Sequence, residues 1–283
     1  MKNIWILARM TFREAVRRRI VLTGLVLGTC FLIIFSVGFH MIYISASEAT
    51  AKAGQLVSRV AQSEGINFLI LAGLYAVTFL SVAMGALLGA DTLAGEISSG
   101  TIQTVVTKPI RRSDVVLGKW LGFALLLALY SLLMSGGTVL SVFVQAGYSP
   151  PNLLAGVVLI YLEALLIMTI SLAFSSALPG LATGGVVFGL YGLAFIGGWI
   201  EQFGSLIQNQ TAVKVGIVTS LIIPSEALWR RAAFEMQTPL SGALGMSPFG
   251  TISVPSTLMI VYAVLYLVVA LAAAINTFQH RDL

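Results

Sequence analysis

Long apolar stretches separated by short polar ones dominate this chain. A helix needs about 20 apolar residues to cross the hydrocarbon core of a bilayer. Six stretches reach that length, and each predicts a transmembrane helix: residues 20–44, 66–90, 115–144, 153–178, 181–200 and 257–278. Only the turn-forming dipeptide Pro179-Gly180 separates the fourth from the fifth. The pattern therefore predicts an all-α integral membrane protein that forms one domain over residues 1–283.

The first 19 residues have a different, amphipathic pattern. The residues that would share one apolar face of a helix are Ile4, Trp5, Ala8, Phe12 and Ala15, with Lys2, Arg9, Arg13 and Arg17 beside them. Such a helix lies in the headgroup layer of a membrane, with its basic side chains towards anionic lipid. We therefore predict an N-terminal interfacial helix at 1–19. A basic flank that only orients the first span is the alternative.

Composition agrees with lipid as the main solvent, since 58% of the residues are hydrophobic and 10% are charged. A soluble domain carries about 25% charged residues. The formal charge of +5 does not indicate nucleic-acid binding, because the basic residues flank the spans. Eleven of the 16 Lys and Arg residues lie at the N-terminus, in the 91–119 loop or in the tail. Because cytoplasmic segments are richer in Lys and Arg, we predict a multi-pass protein of the plasma or inner membrane with both termini in the cytoplasm.

Residues 201–256 form the least regular segment. Residues 211–223 are apolar but contain Lys214, and about 13 residues are too few to span a membrane unaided. We therefore predict an extracytoplasmic or re-entrant segment; a full span here would move the C-terminus outside. Pro224-Ser225-Glu226 then begins a short extracytoplasmic helix, on which Glu226 and Arg230 are spaced to pair on one face.

The chain lacks the motifs of several catalytic classes. Its one Gly-Lys pair, Gly118-Lys119, is followed by Trp120, so it has no Walker-type phosphate loop. Its single cysteine, Cys30, and its two histidines do not form a cluster with metal-ligand spacing. Neither histidine lies deep enough in a span to act as the base of an intramembrane protease. We therefore expect no catalysis, metal or cofactor on this chain.

The polar segment 91–114, between the second and third spans, carries the densest chemistry. An acidic residue comes first, then Gly-Thr, a short apolar helix and a Pro-Arg stretch: Glu96, Gly100, Thr101, Ile102, Val105, Val106, Lys108, Pro109, Arg111 and Arg112. The three aliphatic residues fall at i, i+3 and i+4, which gives this helix one apolar face. This order indicates docking of a soluble partner. A charged flank under the positive-inside rule is the alternative.

This loop resembles the first cytoplasmic loop of ATP-binding-cassette (ABC) type-two exporter permeases, and within them most resembles the permeases grouped with multicopper-enzyme maturation. The resemblance implies that residues 101–107 form a coupling helix seated in a groove of a separate ATPase subunit, which binds ATP and Mg. Glu96, Lys108, Arg111 and Arg112 would make polar contacts around that dock. It further implies two ATPase chains and a second permease chain, identical or different.

Glu163 lies near the middle of the fourth span, where a charged group is expensive and usually faces a bundle interior or a cavity. It either lines a substrate path or responds to a proton, or it is a packing element that is protonated or hydrogen-bonded to a neighbouring helix. Two rival functions also stay open. One is ATP-driven mechanical work on an extracytoplasmic partner protein without solute transport; the other is a secondary carrier, which would have internal repeats and several buried ionisable groups.

Pairs of glycines four residues apart recur within the spans. They are Gly24/Gly28, Gly85/Gly89, Gly180/Gly184 and Gly185/Gly189. Small residues at this spacing let two membrane helices approach closely. We expect them to pack helices within one chain, with a seam between two chains as the alternative.

Overall fold

The computed structural model describes residues 2–52, 55–90, 92, 94–95, 111–240, 249, 251 and 253–280. Within these residues every regular element is an α-helix: α1 Lys2–Val16, α2 Arg19–Lys52, α3 Gln55–Ala90, α4 Arg112–Ala146, α5 Leu153–Ser175, α6 Gly180–Leu206, α7 Gln210–Ile222, α8 Ser225–Met236 and α9 Thr257–Gln279. Six of these described helices, α2 to α6 and α9, are long and apolar enough to cross a membrane. The prediction of an all-α membrane protein with six spans after an N-terminal helix is confirmed.

One end of the bundle carries the segment between α3 and α4, and we call it the loop end. Here Arg112 Nη1, at the start of α4, donates to the carbonyl of Gln279, at the end of α9, over 3.0 Å. The backbone N–H of Ala94 donates to Ser175 Oγ, at the end of α5, over 3.2 Å. The ends of α3, α4, α5 and α9 are therefore linked at the loop end.

The opposite end of the bundle is joined by a second set of polar contacts. Asn67 Nδ2, on α3, donates to Tyr148 Oη over 2.8 Å and to the carbonyl of Met236 over 3.1 Å. Asn152, between α4 and α5, donates to Glu235 over 3.2 Å. The last turn of α8 therefore lies at the opposite end, beside Asn67 in the first half of α3 and the connection from α4 to α5.

α5 lies at the centre of the bundle and packs against α3, α4, α6, α8 and α9. Its residues Ile160, Ala164, Leu166 and Ile167 are fully buried. The fourth predicted span is therefore the core helix, and Glu163 lies on it.

Gly85 and Gly89, one of the glycine pairs expected to pack helices, allow α3 and α5 to approach closely. A Cβ atom on Gly85 would lie 2.7 Å from the carbonyl oxygen of Ala164, and one on Gly89 would lie 2.8 Å from that of Met168. Ser171 Oγ then donates to the carbonyl of Ala86 across the same seam, over 2.7 Å. The expectation of packing within one chain is confirmed for this pair. On α6, by contrast, a Cβ on Gly184, Gly185 or Gly189 would meet no described atom within 4 Å.

Gly89→Val is expected to lower the free energy of unfolding by about 1–3 kcal/mol, because the added side chain overpacks the seam against a backbone carbonyl. Gly189→Val is the matched control, since the same change there meets open space. Thermal unfolding of the two variants in one detergent gives the comparison. Equal losses would mean that α3 and α5 do not approach as closely as described.

The N-terminal helix α1 packs against the first half of α4. A Cβ on Gly122 would lie 2.7 Å from the carbonyl oxygen of Ala8, and one on Gly118 would lie 2.5 Å from Leu7 Cβ. Ala8 and Ala15 are buried, whereas Trp5 is 68% exposed. Part of the predicted apolar face therefore packs against α4, and the rest of it is exposed. The exposed part suits a membrane interface, and that placement stays a prediction.

The segment after the fifth span folds back on it as a helical hairpin. α6 ends at Leu206 rather than at residue 200, and the side chain of Asn209 caps the start of α7 by accepting from the backbone of Thr211 and Ala212. α7 and α8 meet at a bend of 109°. We call residues 210–236 the α7–α8 hairpin.

The hairpin leaves and returns to the same end of the bundle. A Cβ on Gly204 would meet Ala212, and one on Gly197 would meet Thr219, so α7 runs back antiparallel to α6. Its 13 residues reach about 20 Å from the opposite end towards the loop end. α8 then returns, and Met236 accepts from Asn67. This geometry returns the chain to the end of the bundle that it left, and re-entry into the membrane stays a prediction.

Candidate functional site

Most residues predicted to dock an ATPase lie outside the described residues. They are Glu96, Gly100, Thr101, Ile102, Val105, Val106, Lys108 and Pro109. The coupling helix at 101–107 therefore stays a prediction. The structure describes the helices on either side of it and the last two residues of the predicted dock.

Those two residues, Arg111 and Arg112, have different surroundings. Arg111 occupies the N-cap position of α4, makes no capping hydrogen bond with its side chain, and is exposed. Arg112 is half-buried and holds the end of α9 through the carbonyl of Gln279. Of the two, Arg111 is thus the side chain presented at the loop end, while Arg112 also connects two helices.

A buried ion pair lies where the hairpin meets α6. Arg230 Nη1, on α8, lies 2.5 Å from Glu201 Oε1, on α6, and the two side chains are 4% and 5% exposed. Arg230 Nη2 donates to Ser220 Oγ on α7 over 3.2 Å. Ser253 Oγ donates to Glu201 Oε1 over 2.7 Å. This pair therefore joins α6 to both helices of the hairpin and to the segment before α9.

The predicted pairing of Glu226 with Arg230 is corrected by this geometry. The ion pair of Arg230 is with Glu201. Glu226 Oε1 instead accepts from Tyr75 Oη on α3 over 3.3 Å. Tyr75 Oη accepts in turn from Trp199 Nε1 on α6 over 3.1 Å. Both predicted residues are buried. The extracytoplasmic position of their helix stays a prediction.

Glu163 belongs to the same buried region. Its side chain is 0% exposed, and among the described residues neither carboxyl oxygen has a hydrogen-bond donor. Its helix α5 packs against α3, α6 and α8, which carry Tyr75, Tyr191 and Glu226. A carboxyl facing the bundle interior was predicted from its position; its role stays a prediction.

A small cavity of about 10 Å³ lies beside this network. Its lining residues are Tyr75, Gly198, Trp199, Gln202, Glu226, Trp229 and Arg230. Among the described residues, Glu226 Oε2 and Arg230 Nε have no hydrogen-bond partner. A cavity of this size holds about one water molecule, which needs two or more polar partners.

The described part of the chain contains no group of three or more His, Cys, Asp or Glu side chains that could hold a metal ion. Instead, the interior holds one guanidinium and three carboxyl groups among aromatic rings, with the ring centroids of Tyr75 and Trp229 only 4.9 Å apart.

Six helices long and apolar enough to cross a membrane, with a hairpin folded back on the fifth of them, indicate a multi-pass membrane protein. The sequence pattern of the ABC-2 family transporter proteins matches residues 5–283. The chain therefore belongs to this family of ABC transporter permeases, as its sequence suggested.

Two curated relatives are each described as a probable ABC transporter permease protein NosY. That of Pseudomonas aeruginosa is 29% identical over 143 residues, which are 50% of this chain and 46% of that protein. That of Stutzerimonas stutzeri is 29% identical over 142 residues, again 50% of this chain and 46% of the relative. The chain spans about half the length of the curated relatives it matches.

Proposed function

We propose that this permease subunit belongs to an ABC exporter and is driven by a separate ATPase subunit that docks at residues 91–112. The observation that carries the proposal is the linkage at the loop end. Arg112 ties α4 to α9, and Ala94 ties the segment after α3 to α5. A displacement of the docked loop would therefore reach α4 and α9 through Arg112, and α5 through Ala94.

ATP and Mg would bind to the partner, and this chain would supply no cofactor. Two permease chains and two ATPase chains would form the working unit. α2 and α9 have most of their surface exposed, which leaves room for lipid and for the second permease chain. Arg111 at the loop end would face the cytoplasm in a plasma or inner membrane.

Arg111→Glu is expected to weaken ATPase docking about tenfold and to leave the melting temperature unchanged, because its exposed side chain makes no capping hydrogen bond. The measurement is co-purification of the ATPase in mild detergent, together with ATP hydrolysis by the reconstituted complex. Lys214→Glu is the matched charge reversal at the opposite end, where Lys214 is also exposed.

Unchanged docking and hydrolysis in the Arg111→Glu variant would contradict a dock at this loop. Arg112→Glu is less informative on its own, because it also removes the contact with Gln279. A melting temperature that falls in Arg112→Glu but not in Arg111→Glu would show that Arg112 stabilises the fold in addition to any role in docking.

A second candidate function is ATP-driven mechanical work on an extracytoplasmic partner. A cleft of about 450 Å³ at the opposite end supports it, with Asn152, Phe234, Glu235 and Thr238 among its lining residues. Reconstituted vesicles distinguish the two functions, since an exporter moves a solute in proportion to ATP hydrolysed. Transport that continues without any ATPase would instead support the secondary carrier.

A further inference from the structure

We propose that a groove between α2 and α3, at the loop end of the bundle, binds one anionic phospholipid, with an acyl chain in the groove and the phosphate on Arg19. The proposal concerns the outer surface of this chain and does not depend on ATPase docking. It rests on the lining of the groove, on its depth along two spans and on the charge at its mouth.

The groove has a volume of about 250 Å³ and is mostly apolar. One face of each helix forms a wall, with Thr23 and Leu27 on α2 and Leu80, Ala83 and Leu87 on α3. Leu27 is 56% exposed and Leu87 is 42% exposed, so the groove opens on the outside of the bundle. In a bilayer, this opening would face lipid.

The floor of the groove is closed by close packing of three helices. A Cβ on Gly24 of α2 would lie 2.9 Å from Met84 Sδ on α3. Tyr130 Oη, on α4, donates to the carbonyl of Gly24 over 3.2 Å. All three residues line the groove, and both Met84 and Tyr130 are buried. The groove is therefore a shallow surface site and not a channel into the core.

The depth of the groove suits the upper part of an acyl chain. Its lining residues extend over positions 20–27 of α2 and 80–87 of α3, which is about 10 Å along each helix. The groove starts at the loop end, because α2 begins at Arg19 and Met84 lies in the last two turns of α3. Spans cross a bilayer at a modest tilt, so a lipid chain would run along the groove.

The mouth of the groove carries a positive charge. Arg19 is the one charged residue among those that line it, and its side chain is exposed. Glu14 is the acidic residue closest to it in the sequence, and that carboxylate pairs with Arg18 at 2.7 Å. Within the described part of the chain, no carboxylate pairs with Arg19. A guanidinium binds phosphate oxygens through two parallel hydrogen bonds.

The groups along the groove follow the order of groups in a phospholipid. Thr23 lies four residues after Arg19, on the same face of α2 and about 6 Å deeper. Its hydroxyl can donate to an ester carbonyl below the phosphate. The walls beyond Thr23 are apolar. An apolar helix of a second copy would fill the walls but would leave the guanidinium without an anion, which favours lipid as the occupant.

Native mass spectrometry of the full chain in mild detergent tests the charge at the mouth. Dioleoyl phosphatidylglycerol should bind with one-to-one stoichiometry and about fivefold more tightly than dioleoyl phosphatidylcholine. Arg19→Gln should remove this preference. Arg17→Gln is the matched control, because Arg17 is also exposed but does not line the groove, and it should keep most of the preference. Equal losses in the two variants would assign the preference to net charge and overturn the site.

A second variant tests the groove itself. Ala83→Phe places a ring between the walls and should weaken binding of both lipids about tenfold, since it displaces buried methylene groups. Ala182→Phe, at an exposed position of α6, is the control and should leave binding unchanged.

Three results would overturn the proposal. The first is lipid binding that Ala83→Phe does not alter. The second is loss of a dimer in Ala83→Phe with unchanged lipid binding, which would assign the groove to a second copy of the chain. The third is binding of glycerophosphoglycerol, which has no acyl chains, as tightly as phosphatidylglycerol. If Ala83→Phe does not fold, the comparison of Arg19→Gln with Arg17→Gln decides.

Discussion

Arg230→Leu should lower the free energy of unfolding by about 3–5 kcal/mol, which is the cost of leaving one charge of a buried pair without its partner. The pair is well removed from solvent, since the side chains of Arg230 and Glu201 are 4% and 5% exposed. Loss of the guanidinium would also remove the hydrogen bond from Arg230 to Ser220, which joins α8 to α7. Chemical or thermal unfolding in one detergent measures the change.

The neighbouring residue provides a matched control. Arg231 also pairs with a carboxylate, Glu235 at 2.7 Å, but those side chains are 20% and 19% exposed. Because solvent weakens such a pair, Arg231→Leu should cost about 1 kcal/mol or less. The double change Glu201→Gln with Arg230→Leu should recover most of the loss, since it removes the stranded charge. Equal costs for the two arginine variants would show that the Glu201 pair is not buried.

The six spans could be predicted from the sequence because each depends on the length of one apolar stretch. The end of the fifth span could not. Its apolar stretch stops before Glu201, yet α6 continues to Leu206. Glu201 lies in this continuation and is buried against Arg230, which comes from another helix. For the same reason the sequence paired Arg230 with Glu226, its neighbour one turn away, since local spacing was the only guide.

Glycine spacing shows the same limit. Gly85/Gly89 and Gly185/Gly189 have identical spacing, but only the first pair faces another helix among the described residues. The residues that hold Glu226 in place, Tyr75 and its partner Trp199, carried no sequence signal beyond being aromatic and apolar. The sequence predicted a docking role for Arg112. Its contact with the end of α9 could not be predicted, because it depends on how the helices pack.

A cysteine at position 214 should react with a membrane-impermeant maleimide added from outside the cell, and not with reagent confined to the cytoplasm. Lys214 is exposed, and it lies in the first turns of α7, close to where the hairpin leaves the opposite end of the bundle. The basic residues put the loop end in the cytoplasm, so the opposite end faces outwards. Position 214 should therefore be labelled from outside the cell and not from the cytoplasm.

The chain allows a clean version of this experiment, because Cys30 is its only cysteine and Cys30→Ser removes the background. Ser149→Cys, exposed at the opposite end, should label from the same side as position 214. His280→Cys, exposed at the loop end, should label only from the cytoplasm. Labelling of position 214 together with position 280 would contradict a hairpin that returns to the opposite end. It would require the chain to cross the membrane between Ser149 and Lys214 a different number of times, and Glu163, Glu201 and Arg230 would then lie in a different arrangement.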